Sequence, residues 1–279
     1  MDSHGAGAAV SVIMPDAVPS NPASPAVPAS MPRRILILGG TADARRLAGR
    51  LTARADLDLI LSLAGRTENP VTQPVPVRVG GFGGIAGLVT TLKTEGISAV
   101  IDATHPYAAQ MSRHAAAACA EAGLPLLALR RAPWVKIAGD KWREVPDVPA
   151  AVAALGETPR RVFLALGRNE VRAFAAAPQH AYLVRSVDPV VPPLAVPDAA
   201  YVVARGPFTA EGDRALLEEH RIEVLVAKNS GGPATYGKME AARALGLEVL
   251  LLARPEVPDV EAVETADAAV AWVERLFPG

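Results

Sequence analysis

From Arg33 onward, short apolar runs alternate with stretches whose apolar residues recur at helical spacing. No other feature restricts the fold as much. Each run must be covered by a helix, and a mostly parallel sheet of βαβ units does this repeatedly. The first series of predicted strands is Ile35–Leu38, Leu57–Leu63, Val75–Val79, Ala99–Asp102 and Leu126–Leu129. Between them Ala44, Leu47, Ala48 and Leu51 share a helical face, as do Met111, Ala115 and Ala118. A polar, irregular segment from Arg131 to Glu144, with Pro133, Trp134 and Trp142, leads into a second series. Its strands are Val162–Leu166, Tyr182–Ser186, Tyr201–Arg205, Val224–Ala227 and Val249–Ala253. Val263, Ala266, Val270, Val273 and Phe277 mark a final helix. The expectation is an α/β protein of two Rossmann-like domains with mostly parallel sheets, residues 31–132 and 133–279, and an interdomain cleft. The final helix is free to return to the first domain.

Composition narrows the function classes. Net charge is −1, from 28 basic and 29 acidic residues, so no global field favours nucleic acid. The single cysteine, Cys119, excludes an internal disulfide and a cysteine-based metal cluster, and its Ala-rich surroundings make it a packed helix residue. No His/Asp/Glu group has metal-ligand spacing, so no metal is expected. No apolar run reaches the roughly 18 residues of a membrane helix. A cytoplasmic location without a membrane partner is expected, and nothing demands more than a monomer. Residues 1–30 lack Lys and Arg and are rich in Pro, Ala, Ser and Gly. Disorder is expected there, with Met31 as the physiological start.

Ile35 to Leu38 runs into Gly39-Gly40-Thr41 and then a helix start. Such a turn can hold a phosphate, because glycines admit the backbone and the helix N-terminus presents unpaired N–H groups. The offsets of the dinucleotide fingerprint are filled by Gly39, Thr41 and Ala44, so a threonine replaces the second glycine. Its hydroxyl could donate to a phosphate oxygen, whereas a tight turn common to any α/β protein would leave it a scaffold. Asp43 is expected to face away from the phosphate. The second strand ends without the acid that usually binds an adenosine ribose. Ser62 and Arg66 stand there instead and suit a ribose 2′-phosphate, which favours NADPH; a solvated loop arginine is the competing reading.

Three further constellations lie at predicted strand ends. Asp102-Ala103-Thr104-His105-Pro106-Tyr107 offers Thr104 as a helix cap and His105 as a proton donor or hydrogen-bonding partner. Lys228-Asn229-Ser230-Gly231-Gly232 reads as a second anion-binding turn, although it lacks P-loop order. Arg130, Arg131, Arg168, Arg185 and Arg205 recur near strand ends and together could line a cationic cleft.

The ordered set Ile37-Leu38-Gly39-Gly40-Thr41, Ser62-Leu63-Ala64-Gly65-Arg66, Gly80-Gly81-Phe82-Gly83-Gly84 and Asp102 to Tyr107 resembles the precorrin-6A reductase family. Phe163 to Arg168, Ala204 to Phe208 and Lys228 to Gly232 continue the likeness, which runs from about Pro32 to Arg254. Tyr107 departs from a phenylalanine common in the family. The resemblance implies NADPH as hydride source and a polycarboxylate tetrapyrrole as substrate, bound in the interdomain cleft. It assigns Gly39, Gly40, Thr41, Ser62, Arg66, Thr104 and His105 to the cofactor. Lys228, Asn229, Ser230, Gly231, Arg168, Arg185 and Arg205 go to the substrate, and His105, Tyr107 and Lys228 are the candidate catalytic groups. A cobalt-precorrin-6A reductase is the nearest alternative. A non-catalytic NADPH-binding regulator and a methyltransferase using S-adenosylmethionine are the others.

Overall fold

Arg33–Leu38 (β1) is buried on both faces, as the central strand of a parallel sheet must be. Ile35 and Ile37 face one helical layer and Leu36 and Leu38 the other. The computed structural model describes Met1 and residues 32–279 apart from Arg66, Glu68 and Asn69. The expectations for residues 1–30 and for Arg66 fall outside the described residues.

After β1 the chain forms Ala42–Leu51 (α1), Leu57–Leu63 (β2), Val77–Val79 (β3), Gly84–Thr94 (α2), Ile97–Asp102 (β4), Ala109–Ala122 (α3) and Leu126–Leu129 (β5). It crosses to Lys141–Val145 (β6), Val148–Leu155 (α4), Arg161–Ala165 (β7), Arg168–Val171 (α5) and Ala181–Ser186 (β8). Ala199–Val203 (β9), Ala210–Glu219 (α6), Val224–Lys228 (β10), Gly237–Leu245 (α7) and Glu248–Leu252 (β11) follow. Ala262–Val263 (β12) and Ala266–Leu276 (α8) end the chain.

Among the described residues the strands form two six-stranded sheets, ordered β12-β5-β4-β1-β2-β3 and β6-β11-β10-β7-β8-β9. Their ladders are parallel. Each sheet therefore contains the doubly wound order 3-2-1-4-5, with β7 to β11 repeating β1 to β5, plus one added edge strand. The order reverses between β1 and β4 and again between β7 and β10, and crevices open at the carboxyl ends of such pairs.

The added strands correct the expected layout. The segment read as irregular contains β6, whose Lys141, Arg143 and Glu144 are exposed while Trp142 and Val145 are buried. An edge strand with a solvated face carries too little apolar signal to stand out. The terminus takes the return to the first domain that the sequence left open. β12 pairs with β5, and Ala266, Ala269, Trp272 and Val273 of α8 join Ile35, Ile37 and Leu47 in the first sheet's core. β9 lies two residues before its predicted position, which leaves Arg205 in the following loop. Residues Pro32–Gly279 form one compact unit containing both sheets.

Candidate active site

The first crevice is built on the turn between β1 and α1. Gly39 donates its N–H to the Ser62 carbonyl at 2.9 Å, and a Cβ on it would approach Leu61 Cδ2 to 3.0 Å. Gly40 has φ +105°, is exposed, and has nothing within 4 Å of the place a Cβ would occupy. Its backbone is open to a ligand, and glycine is the residue that adopts this conformation without strain. Thr41 caps α1: its hydroxyl accepts from Ala44 N–H at 3.0 Å and donates to the Ala103 carbonyl at 2.9 Å. The hydroxyl's single proton is thus taken, so the expected donation to a phosphate gives way to a structural role. The open Gly40 backbone and the start of α1 still fit a dinucleotide pyrophosphate.

Asp43 pairs with Arg131 at 3.1 Å and Arg46 at 3.5 Å. Arg131, in the crossing after β5, also donates to the Ser230 carbonyl at 2.9 Å. A polar chain therefore runs from α1 to the loop after β10.

The turn after β4 supplies the opposite wall. Buried Asp102 accepts from the Thr104 hydroxyl at 2.6 Å and from the Ser112 hydroxyl at 2.5 Å. Thr104 is consequently not a helix cap; α3 begins five residues later, and its N-cap, Ala108, makes no side-chain cap bond. His105 accepts a 3.3 Å bond at Nδ1 from Tyr107 N–H, which leaves Nε2 as the protonated nitrogen. Burial and the nearby Arg131, Lys228 and Arg254 lower its pKa to about 3. His105 is therefore a neutral hydrogen-bond donor at pH 7 and not an imidazolium acid. Tyr107 reaches the second sheet, donating its hydroxyl to the Leu252 carbonyl and accepting from Asn229 N–H at 2.7 Å. Burial pushes it up to about 12, and this clasp removes it from the candidate acids.

The loop after β10 departs from the anion-binding expectation. Lys228 pairs with Glu170 and lies 5.2 Å from the Tyr107 ring centre. The Asn229 carboxamide is held at both ends by the Trp134 backbone, at 2.8 and 3.1 Å. The carbonyls of Asn229 and Ser230 accept from Arg254 and Arg131, and that of Gly232 from Trp134 Nε1. A Cβ on Gly231 would lie 2.2 Å from the Ala132 carbonyl oxygen. The loop presents acceptors to its own arginines, the reverse of an anion nest. It joins the two sheets.

The remaining arginines separate. Arg185 is buried, pairs with Asp213, and lies between Phe163 and Phe208, 5.0 and 3.8 Å from their centres. It cannot reach a substrate carboxylate, because releasing it would strand Asp213 in the core. Arg168 approaches Asp188 at 4.0 Å, and Arg205 is exposed after β9. Glu170, Asp102 and Arg254 organise the site without having been assigned to it. Their signal was position at strand ends, which sequence cannot separate from solvated charge. Cys119 is buried, its thiol pushed up to about 12, as suits a packed helix residue.

Two doubly wound sheets, with an open glycine turn at the first reversal, define a Rossmann-like α/β protein of the dinucleotide-binding kind. The chain belongs to the precorrin-6x reductase CbiJ/CobK family, whose model matches residues 34–274. A curated relative from Rhodobacter capsulatus, named precorrin-6A reductase, is 55% identical over 240 residues, 86% of this chain and 95% of the relative. A solved structure titled CobK precorrin-6A reductase aligns with TM-score 0.83 and 53% identity, covering 87% of this chain and 96% of that one. A cobalt-precorrin-6A reductase from Priestia megaterium is 29% identical over 237 residues, 80% of this chain and 91% of the relative. The family is one of oxidoreductases, and a reductase on this fold draws on a nicotinamide cofactor. Among the described residues no helix is long and apolar enough to cross a membrane.

Proposed function

We propose that this protein is a precorrin-6A reductase that uses NADPH and acts on the metal-free macrocycle to give precorrin-6B. The observation that carries this is near-full-length identity to relatives bearing that name, against much lower identity to the cobalt enzyme. NADPH supplies the hydride for one carbon of a ring double bond, and a proton must reach its neighbour. Gly39, Gly40 and the first turn of α1 hold the pyrophosphate. Ser62, with Arg66 on sequence grounds, takes the ribose 2′-phosphate. Thr104, fixed by Asp102, and His105, through Nε2–H, orient the nicotinamide end. The first sheet carries the cofactor and the second the substrate, whose carboxylates meet Arg168 and Arg205 at the second sheet's carboxyl end. With His105 neutral, Tyr107 engaged in its clasp and Lys228 held by Glu170, water is the proton source. Catalysis is chiefly orientation of two bound partners.

Mixing the protein with NADPH and precorrin-6A should consume NADPH and give a product heavier by two hydrogens. Tight NADPH binding without oxidation by any tetrapyrrole would make the protein a regulator. Reduction of only the cobalt-loaded substrate would move it to the oxygen-independent route.

A further inference from the structure

Arg78 stands on β3 in register with Ser62 on β2, beside the glycine turn. Its guanidinium is tightly placed. Nη1 donates to the Gly80 carbonyl at 3.0 Å, Nη2 to the Gly81 carbonyl at 3.2 Å, and the group lies 3.9 Å from the centre of the Phe82 ring. Nη1 also lies 3.4 Å from Ser62 Oγ. Arg131, Arg168 and Arg185 each face a carboxylate. Arg78 pairs with no acid among the described residues, although it is half-buried. A fixed, partly desolvated cation without a counter-ion is costly unless an anion arrives to meet it.

We propose that Arg78 and Ser62 form the subsite for the ribose 2′-phosphate and that Arg78 is a determinant of NADPH over NADH. This rests on the dinucleotide reading of Gly39 to Thr41. Ser62 carries the Gly39 N–H on its carbonyl, so its side chain sits one residue pair from the turn that holds the pyrophosphate. An N–H from Arg78 meets one acceptor site of the buried Ser62 hydroxyl, so the hydroxyl proton is directed elsewhere and is able to donate. Arg78 offers donors only, and the Ser62 hydroxyl has its proton to donate. A 2′-phosphate offers acceptors only and is matched by them, whereas a 2′-hydroxyl gains no charge-assisted bond. The Phe82 ring and the two glycine carbonyls hold the guanidinium plane before the ligand arrives, which limits the ordering cost of binding.

Calorimetric titration with 2′,5′-ADP and with 5′-AMP tests this without catalysis. Wild type should bind 2′,5′-ADP at least about tenfold more tightly than 5′-AMP. Arg78→Met should lose most of that ratio while its 5′-AMP affinity stays within about twofold of wild type. An undiminished ratio in Arg78→Met overturns the role of Arg78 and leaves the NADPH reading standing. Equal binding of the two nucleotides by wild type overturns the NADPH reading itself. Should Arg78→Met fail to fold by circular dichroism, Arg78→Lys decides: a reduced ratio supports the assignment and an unchanged one removes it.

Discussion

Thr41 illustrates how one side chain's function depends on what its proton meets. Its place in the fingerprint suggested a phosphate contact, but its hydroxyl joins the cap of α1 to the carbonyl of Ala103. Thr41→Val should lower stability by about 1–2 kcal/mol in urea unfolding and leave NADPH affinity nearly unchanged. His105 poses the complementary case, since its pKa near 3 keeps it neutral in the fold while the unfolded imidazole titrates near 6.5. The unfolded chain then binds more protons, so the stability His105 contributes is complete above pH 6.5 and is lost as pH falls toward about 3. The His105 ring should show no NMR titration between about pH 8 and 5. A midpoint near the ordinary value would restore it as a candidate acid.

At the scale of single elements, helices and central strands were the readable part. β2 and β5 match their predicted spans because continuous apolar runs bounded by turns have few other solutions. The loop after β10 was not readable in the same way. Its glycines are visible, but whether they turn N–H groups or carbonyls inward depends on which neighbours surround them. Here the neighbours are Arg131 and Arg254, so the carbonyls point in. Gly231 has φ +68° and abuts the Ala132 carbonyl. Gly231→Ala should therefore cost at least about 2 kcal/mol in thermal or urea unfolding. It should also raise the KM for the tetrapyrrole, because this loop sets the spacing of the two walls. Unaltered stability and KM together would show that the loop is not a clasp.

On the scale of the whole molecule, the chain crosses between its sheets twice, after β5 and after β11, and the two crossings bind each other. Arg254 donates to the carbonyls of Arg131 and Ala132 at 2.8 and 3.3 Å, and Arg130 to that of Pro258 at 3.0 Å. The C-terminal segment then completes the first sheet. Trp272 on α8 is 5% exposed and donates Nε1–H to Glu261 at 2.8 Å. Trp272→Ala should cost about 3–5 kcal/mol and lower the urea midpoint, with loss of nucleotide binding as the first sheet opens. A loss well below that range would mean that the first sheet does not depend on α8.

The alternating apolar runs and the Gly39-Gly40 turn were enough for the α/β class and the strand-turn-helix at the first crevice, and the ordered short motifs from Ile37 to Gly232 were enough for the family. These are properties of neighbouring residues, and burial periodicity and glycine freedom express themselves locally. The partners of charges and the direction of hydrogen bonds are not local. Folding buried Arg185 against Asp213, closed Tyr107 onto Leu252 and Asn229, and left Arg78 as a fixed guanidinium without an acid among the described residues. All three groups stand near strand ends in the sequence, and their different fates depend on chain that arrives from far away.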